Sequence, residues 1–234
     1  MEQIYTIPIN ETFDAFRGNS ECHCPICALY DKLQENDLEI ILGASMMEPD
    51  IRIMTNKEGF CGTHFDMMFA KRNRLGLALM MQSHLDKIRN DIKDRFIPDL
   101  IMGKGSRAVK EASRLKDSCY ICRRVEHHMA NMISTVLLLW QSDLEFRRKL
   151  KEQPYFCLPH YSRLLDLAKK KLSKKEFSDF YSDISQPQMK YLDSLYEDVS
   201  HFCRKFDYRY EDEPWGNSKD SVERTIKFLS GTER

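Results

Sequence analysis

Cys24-Pro25-Ile26-Cys27, followed 33 residues later by Phe60-Cys61-Gly62-Thr63-His64-Phe65, is the stretch that decides how this chain is read. It occurs twice. Cys119-Tyr120-Ile121-Cys122 is followed, after 34 residues, by Phe156-Cys157-Leu158-Pro159-His160-Tyr161. Matching positions lie 95 residues apart in the Cys-x-x-Cys half and 96 apart in the Cys-x-x-His half. The aromatic residues before the third Cys and after the His recur with them, so the match extends beyond the sulfur and imidazole donors. Recurrence of so many positions in register marks an internal duplication.

Each repeat supplies three thiols and one imidazole, the donor set of a closed tetrahedral zinc site with no vacancy for substrate. A Cys-x-x-Cys turn lets both sulfurs reach one ion, and a helix start adds backbone dipoles that favour thiolate. Pro25 suits the first helical position, which needs no amide donor. Cys61 and His64 are spaced to share a helical face. The expectation is two zinc ions per chain, held by Cys24, Cys27, Cys61, His64, Cys119, Cys122, Cys157 and His160. Sequence does not assign which pairs meet. Exchange between repeats stays open, and the duplication favours pairing within each repeat. A site of three thiolates and one imidazole keeps a charge of −1 with zinc bound, which Arg123 and Arg124 are placed to offset in the second repeat.

The pattern around these motifs is helical. Ile26, Leu29, Tyr30, Leu33, Leu38, Ile41 and Leu42 follow helical spacing, with Gly43 as a C-cap. Val125, Met129, Met132, Ile133 and Val136 form the corresponding stripe between Ile121 and about Trp140. Short helices are expected near 49–56 and 143–152, where Asp143 is an N-cap candidate. Each Cys-x-x-His opens a further helix. A longer helix from about Arg74 should end before Pro98, and Ser173-Lys-Lys-Glu176 is a capping-box signature for another. Pro187 should break or kink that helix ahead of a further one to about Tyr208. Val222, Ile226 and Leu229 mark a last short helix ending at Gly231. No segment alternates with period two. The expected fold is all-α, with two tandem duplicated helical units, each stapled by a zinc site. The expected division is 1–98 for the first unit, 99–118 for the connection, 119–210 for the second unit, and 211–234 for a tail with a short helix, packed as one body.

The chain has 234 residues, enough for a substantial core. Its 36 Lys and Arg balance 36 Asp and Glu, so no global charge draws it to nucleic acid or anionic membrane. The N-terminal stretch to Phe16 lacks a basic start and apolar run and does not read as a signal peptide. Met132 to Trp140 is too short to span a bilayer. The expected location is the cytoplasm. There, eight cysteines point to metal or redox chemistry rather than a disulfide framework.

Rival readings use the same residues. A thioredoxin-type dithiol would need a βαβ context that is missing around Cys24. An iron–sulfur cluster could use the same ligands. Nucleic-acid binding would draw on Arg147, Arg148, Lys149 and Lys151, or on Lys169 to Lys175, which read better as solvated helix faces. Cys22 and His23 adjoin the first pair but have no counterpart in the second repeat. His127 and His128 point to different sides of a helix. His201 and Cys203 lack partners in the pattern. Met67, Met68, Met80 and Met81 fit helical core packing. Trp215-Gly216 reads as a docking anchor for the C-terminus.

The order Cys-Pro-Ile-Cys, Phe-Cys-x-x-His, a second Cys-x-x-Cys and Cys-x-x-His, then Trp-Gly-x-Ser before a terminal helix is similar to one uncharacterised bacterial family. It is a domain-of-unknown-function family, some of whose members are automatically labelled ABC-transporter substrate-binding proteins. The resemblance runs from Cys24 to Gly231. It implies a bacterial single-chain protein without an established activity. The transporter label sits badly with a thiol-rich set and an N-terminus lacking a secretion signal. The functional expectation is a zinc-binding structural or regulatory protein, most simply a scaffold for a protein partner rather than an enzyme.

Overall fold

A computed structural model describes residues 3–18, 24–101, 113 and 117–231, with backbone alone over 94–101. Ten helices make up the regular structure among the described residues, without a strand. In chain order they are α1 (Gln3–Phe16), α2 (Pro25–Leu42), α3 (Pro49–Glu58), α4 (Gly62–Ala70) and α5 (Arg74–Ile101). Then follow α6 (Tyr120–Ser142), α7 (Leu144–Lys151), α8 (Leu158–Lys171), α9 (Lys174–Arg204) and α10 (Ser221–Ser230). Short 3-10 turns at Ala44–Met47, Tyr208–Tyr210 and Gly216–Ser218 join them. Cys22, His23 and most of the 99–118 connection, with Gly103-Lys104-Gly105-Ser106, lie outside the described residues.

Contacts divide the chain into two compact units: Met1–Asp31 with Met129–Arg234, and Lys32–His128. The chain passes between them within α2 and returns within α6.

In the first unit the core is aromatic. Phe13 of α1 lies with its ring centroid 5.1 Å from that of Phe146 and 6.4 Å from that of Phe156. Trp140 meets Phe180 edge-on at 5.2 Å, and Tyr155 stacks on Tyr191 at 3.9 Å beside Phe228. Edge-on and offset ring pairs suit the aromatic quadrupole. The indole N–H of Trp140 donates to the buried Asp183 carboxylate, which also accepts from Arg147 and Lys151. In the second unit Leu38, Ile41, Leu42, Met68, Leu77, Met80, Ile121 and Val125 are buried. Ser83 and His84 of α5 bond the side chain and carbonyl of Asn56 on α3.

The local signals hold where the chain is free to follow them. Asp143 accepts from the amides of Glu145 and Phe146, and Ser173 with Glu176 forms the full capping box. Gly43 follows α2, where a Cβ would lie 2.8 Å from the Glu39 carbonyl oxygen. Two expectations need correction. Pro98 does not end α5, which runs on to Ile101. Pro187 does not break α9, which is continuous from Lys174 to Arg204. An internal proline costs about 3 kcal/mol of helix stability; burial of Ile184, Gln188 and Leu195 on either side offsets it. The N-terminal stretch, for which no element is expected, forms α1 with Pro8 inside it, where Ile9, Thr12 and Phe13 are buried.

Candidate metal centres

All four ligand pairs sit at helix starts in the same local geometry. Cys24, Cys61, Cys119 and Cys157 immediately precede α2, α4, α6 and α8. Each one's carbonyl accepts the first helical hydrogen bond, from Ala28, Phe65, Arg123 and Tyr161 respectively, at 2.8–3.2 Å. Cys27, His64, Cys122 and His160 lie three residues on, so each pair faces the same way off the first turn. A helix start leaves unpaired N–H groups, whose dipoles favour thiolate in the first turn. Cys61 and Cys157 are N-caps whose side chains make no capping hydrogen bond, leaving those sulfurs to the cluster.

The pairs meet crosswise. Cys24 and Cys27 meet Cys157 and His160; Cys61 and His64 meet Cys119 and Cys122. Pairing within each repeat, which the duplication favours, is therefore overturned, and the reason is helix length. At 1.5 Å per residue α2 carries the chain about 27 Å from its Cys pair, and α3 returns it by at most about 15 Å before Cys61. By the same measure α6 runs about 34 Å from Cys119, and α7 recovers about 12 Å before Cys157. In each repeat the returning helix is shorter than the outgoing one, which works against closure of a Cys-x-x-His on its own Cys-x-x-Cys. Each tetrad lies wholly within one compact unit.

The donor spacing tests the fit to a single ion. A zinc tetrahedron with bonds of about 2.3 Å to sulfur and about 2.0 Å to nitrogen has edges of about 3.8 Å (S···S) and about 3.5 Å (S···N). In the first tetrad Cys27 and Cys157 sulfurs are 3.5 Å apart, and His160 Nδ1 lies 3.0, 3.3 and 3.7 Å from Cys157, Cys27 and Cys24. In the second, Cys61 and Cys122 sulfurs are 3.8 Å apart, and His64 Nδ1 lies 3.1, 3.3 and 3.4 Å from Cys61, Cys119 and Cys122. All donor atoms in a tetrad fall within 4.8 Å of one another. Both sets fit one tetrahedral cation.

Electrostatics point the same way. Burial pushes the Cys24 thiol up, and so does its crowding by Cys157 and Cys27. Burial likewise raises Cys119 and Cys122. Cys27 moves down, because Cys157, Cys24 and His160 all direct hydrogen bonds to it. A divalent metal lets all three ionise together. Burial also lowers His64, favouring the neutral imidazole that a metal needs.

Surrounding groups hold each tetrad in place. At the second, the Tyr120 amide donates to the Gly59 carbonyl at 3.0 Å, and the Ser118 hydroxyl to the Glu58 carbonyl at 2.6 Å, drawing the end of α3 to the start of α6. Arg123 pairs with Glu58, and Arg124 grips the buried Asp37 at 2.9–3.2 Å. Both arginines are thus bonded to carboxylates, which corrects the expectation that they offset the charge of the site. The Gln34 amide nitrogen lies 2.9 Å from His64 Nε2; a metal on Nδ1 would put the proton on Nε2, and the carboxamide would then need to turn so that its oxygen accepts it. At the first, Gln188 exchanges two 2.9 Å hydrogen bonds with the Phe156 backbone, fixing the residue before Cys157. Gly231, at φ +62°, lies so close that a Cβ would stand 2.9 Å from the Cys157 sulfur.

Gln34, Gln188 and Gly231 escape a reading of motifs alone, since each acts through a contact distant in sequence. The remaining candidates stay outside the tetrads. His127 and His128 pack edge to edge at 5.6 Å, His201 faces Glu213 at 3.9 Å, and Cys203 is exposed. Met68 and Met80 are core residues, whereas Met81 is exposed. Trp215 packs against Phe202 with its ring centroid 5.7 Å away. No helix among the described residues is long and apolar enough to cross a membrane.

No curated protein and no solved structure matches the chain. One family model does, over residues 1–234: the chain belongs to a family of unknown function, DUF6062.

Proposed function

We propose that this is a two-zinc protein of structural or regulatory role, in which zinc fixes a helical scaffold that presents its surface to a protein partner. The observation that carries the reading is the pair of three-thiol, one-imidazole tetrads with edges of zinc-site length. Four protein donors fill a tetrahedral zinc ion and leave no position for substrate, so the metal acts on the fold. Donor atoms within 4.8 Å of one another also favour a single ion over a polynuclear iron–sulfur cluster. Apparent zinc binding of about 10–16 kcal/mol in finger-like peptides equals or exceeds the about 5–15 kcal/mol that holds a typical domain together. Metal loss should therefore undo the unit that holds it. The cytoplasm, where thiols stay reduced, suits this chemistry.

Elemental analysis of protein purified anaerobically tests the reading. Two zinc per chain is the expected result. A folded, monodisperse protein free of metal, or one carrying several iron atoms with inorganic sulfide, overturns it.

A further inference from the structure

The two tetrads share donors and local geometry, yet differ in access. In the first, Cys24, Cys27, Cys157 and His160 are each no more than 3% exposed. Gly231 stands directly against the Cys157 and Cys27 sulfurs. In the second, His64 and Cys119 are buried while Cys61 and Cys122 are partly exposed. The space beside Cys61 is open, since a Cβ on Gly62 would meet nothing within 4 Å. These two partly exposed cysteines belong to different repeats, and their sulfurs lie 3.8 Å apart. Thiol oxidation follows thiolate character and exposure, and a neighbouring thiolate converts the first oxidation product to a disulfide.

We propose that the second tetrad is a hydroperoxide-sensitive zinc-release site, with Cys61 and Cys122 as the reacting pair, while the first is a permanent staple. This rests on the zinc reading above. One thiolate attacks a peroxide oxygen; the O–O bond breaks, and the departing oxygen leaves as water or alcohol after taking a proton. The resulting sulfenic acid is attacked by the second thiolate, forming the S–S bond and expelling hydroxide, which a second proton converts to water. The two sulfurs together lose two electrons, the peroxide gains them, and zinc keeps its charge. The sulfurs need to close from 3.8 Å to about 2.05 Å. Cys119 and His64 remain as two donors, too few to retain the ion.

The test uses full-length zinc-loaded protein carrying Cys22→Ser and Cys203→Ser, which removes thiols outside the tetrads. Zinc is counted first. Hydrogen peroxide is then added with a chromogenic zinc indicator, and cysteines are mapped by alkylation and mass spectrometry. The expected result is release of one of two zinc ions, a Cys61–Cys122 disulfide, and Cys24, Cys27 and Cys157 alkylated only after denaturation. Release from the second tetrad should be at least about tenfold faster than from the first. No release, equal release from both tetrads, or a disulfide elsewhere overturns the proposal. Fewer than two zinc at the outset instead overturns the zinc reading, before any peroxide is added.

Discussion

Paired serine substitutions separate crosswise from within-repeat ligation without ambiguity. Cys24→Ser with Cys157→Ser removes two donors from one tetrad, whereas Cys24→Ser with Cys61→Ser removes one donor from each. The chain entropy of the crosswise arrangement can be worked out. Ligation of Cys27 with Cys157 closes 130 residues, against 34 for Cys27 with Cys61. Loop closure scaling as (3/2)RT ln n makes the longer loop about 1.2 kcal/mol more costly. A structural zinc site contributing about 10–16 kcal/mol outweighs that difference, so chain entropy does not forbid the crosswise pairing. Zinc per chain, measured by elemental analysis on reduced, gel-filtered protein, is the assay. Two in the parent should fall to one for Cys24→Ser/Cys157→Ser and for Cys61→Ser/Cys119→Ser. It should fall to none for Cys24→Ser/Cys61→Ser. The reverse pattern, one zinc in Cys24→Ser/Cys61→Ser and none in Cys24→Ser/Cys157→Ser, would refute the crosswise geometry.

Further expectations are each tied to one contact. Gly231→Ala and Gly216→Ala both force a side chain onto a positive φ, a cost of about 1–2 kcal/mol. Only Gly231→Ala also drives a methyl group against the Cys157 sulfur. It should show the larger fall in Tm and faster zinc loss from the first tetrad; equal falls would discredit the contact. Gln34→Leu removes the carboxamide that faces His64 Nε2 and should weaken zinc at the second tetrad about 10–100-fold, read by chelator competition. An unchanged affinity would show that Gln34 does not orient the imidazole. For Asp183, burial works to raise the carboxyl, but hydrogen bonds from Lys151, Arg147 and Trp140 prevail and hold it below its ordinary value of 3.8. Because the folded-state value is the lower one, this stabilisation is present above about pH 4 and is lost as pH falls through the folded value. Asp183→Asn should destabilise at neutral pH and narrow its gap from the parent in acid, followed by Trp140 fluorescence. A pH-independent gap would contradict this.

The sequence makes the all-α class legible, and it singles out the eight residues that form the two clusters, because both signals are local. Periodicity, Asp143, Ser173 and Gly43 act within a turn or two of helix, and each is where its chemistry places it. Pro187 shows the limit of local reading: its preference for a break is outweighed by the burial of Ile184 and Gln188, a tertiary fact. The same holds for α1, whose helix depends on Phe13 finding Phe146 and Phe156 far along the chain. The partners of Arg124 and His64, Asp37 and Gln34, both come from α2, which precedes them by 87 and 30 residues. Nothing in their spacing announces that. The crosswise pairing is an intermediate case, since helix lengths predicted from periodicity already set the reach of each Cys-x-x-His.

That reach explains why a duplicated sequence does not yield two tandem structural copies. Were the segment after each Cys-x-x-Cys a short loop, each repeat could close on itself, as small zinc modules do. Here a helix of 18 or 23 residues follows each pair, and the ligands are nested along the chain: 61 and 64 with 119 and 122 inside, 24 and 27 with 157 and 160 outside. The inner tetrad therefore belongs to the contiguous unit 32–128, and the outer one gathers both ends of the chain into the other unit. The pair at each helix start thus meets the pair from the other repeat, so that the duplicated motifs form two reciprocal clasps. The ligand motifs of this chain and the lengths of α2 and α6 thus act together in setting which cysteines meet. Shortening either helix by several turns would have to change which cysteines share an ion.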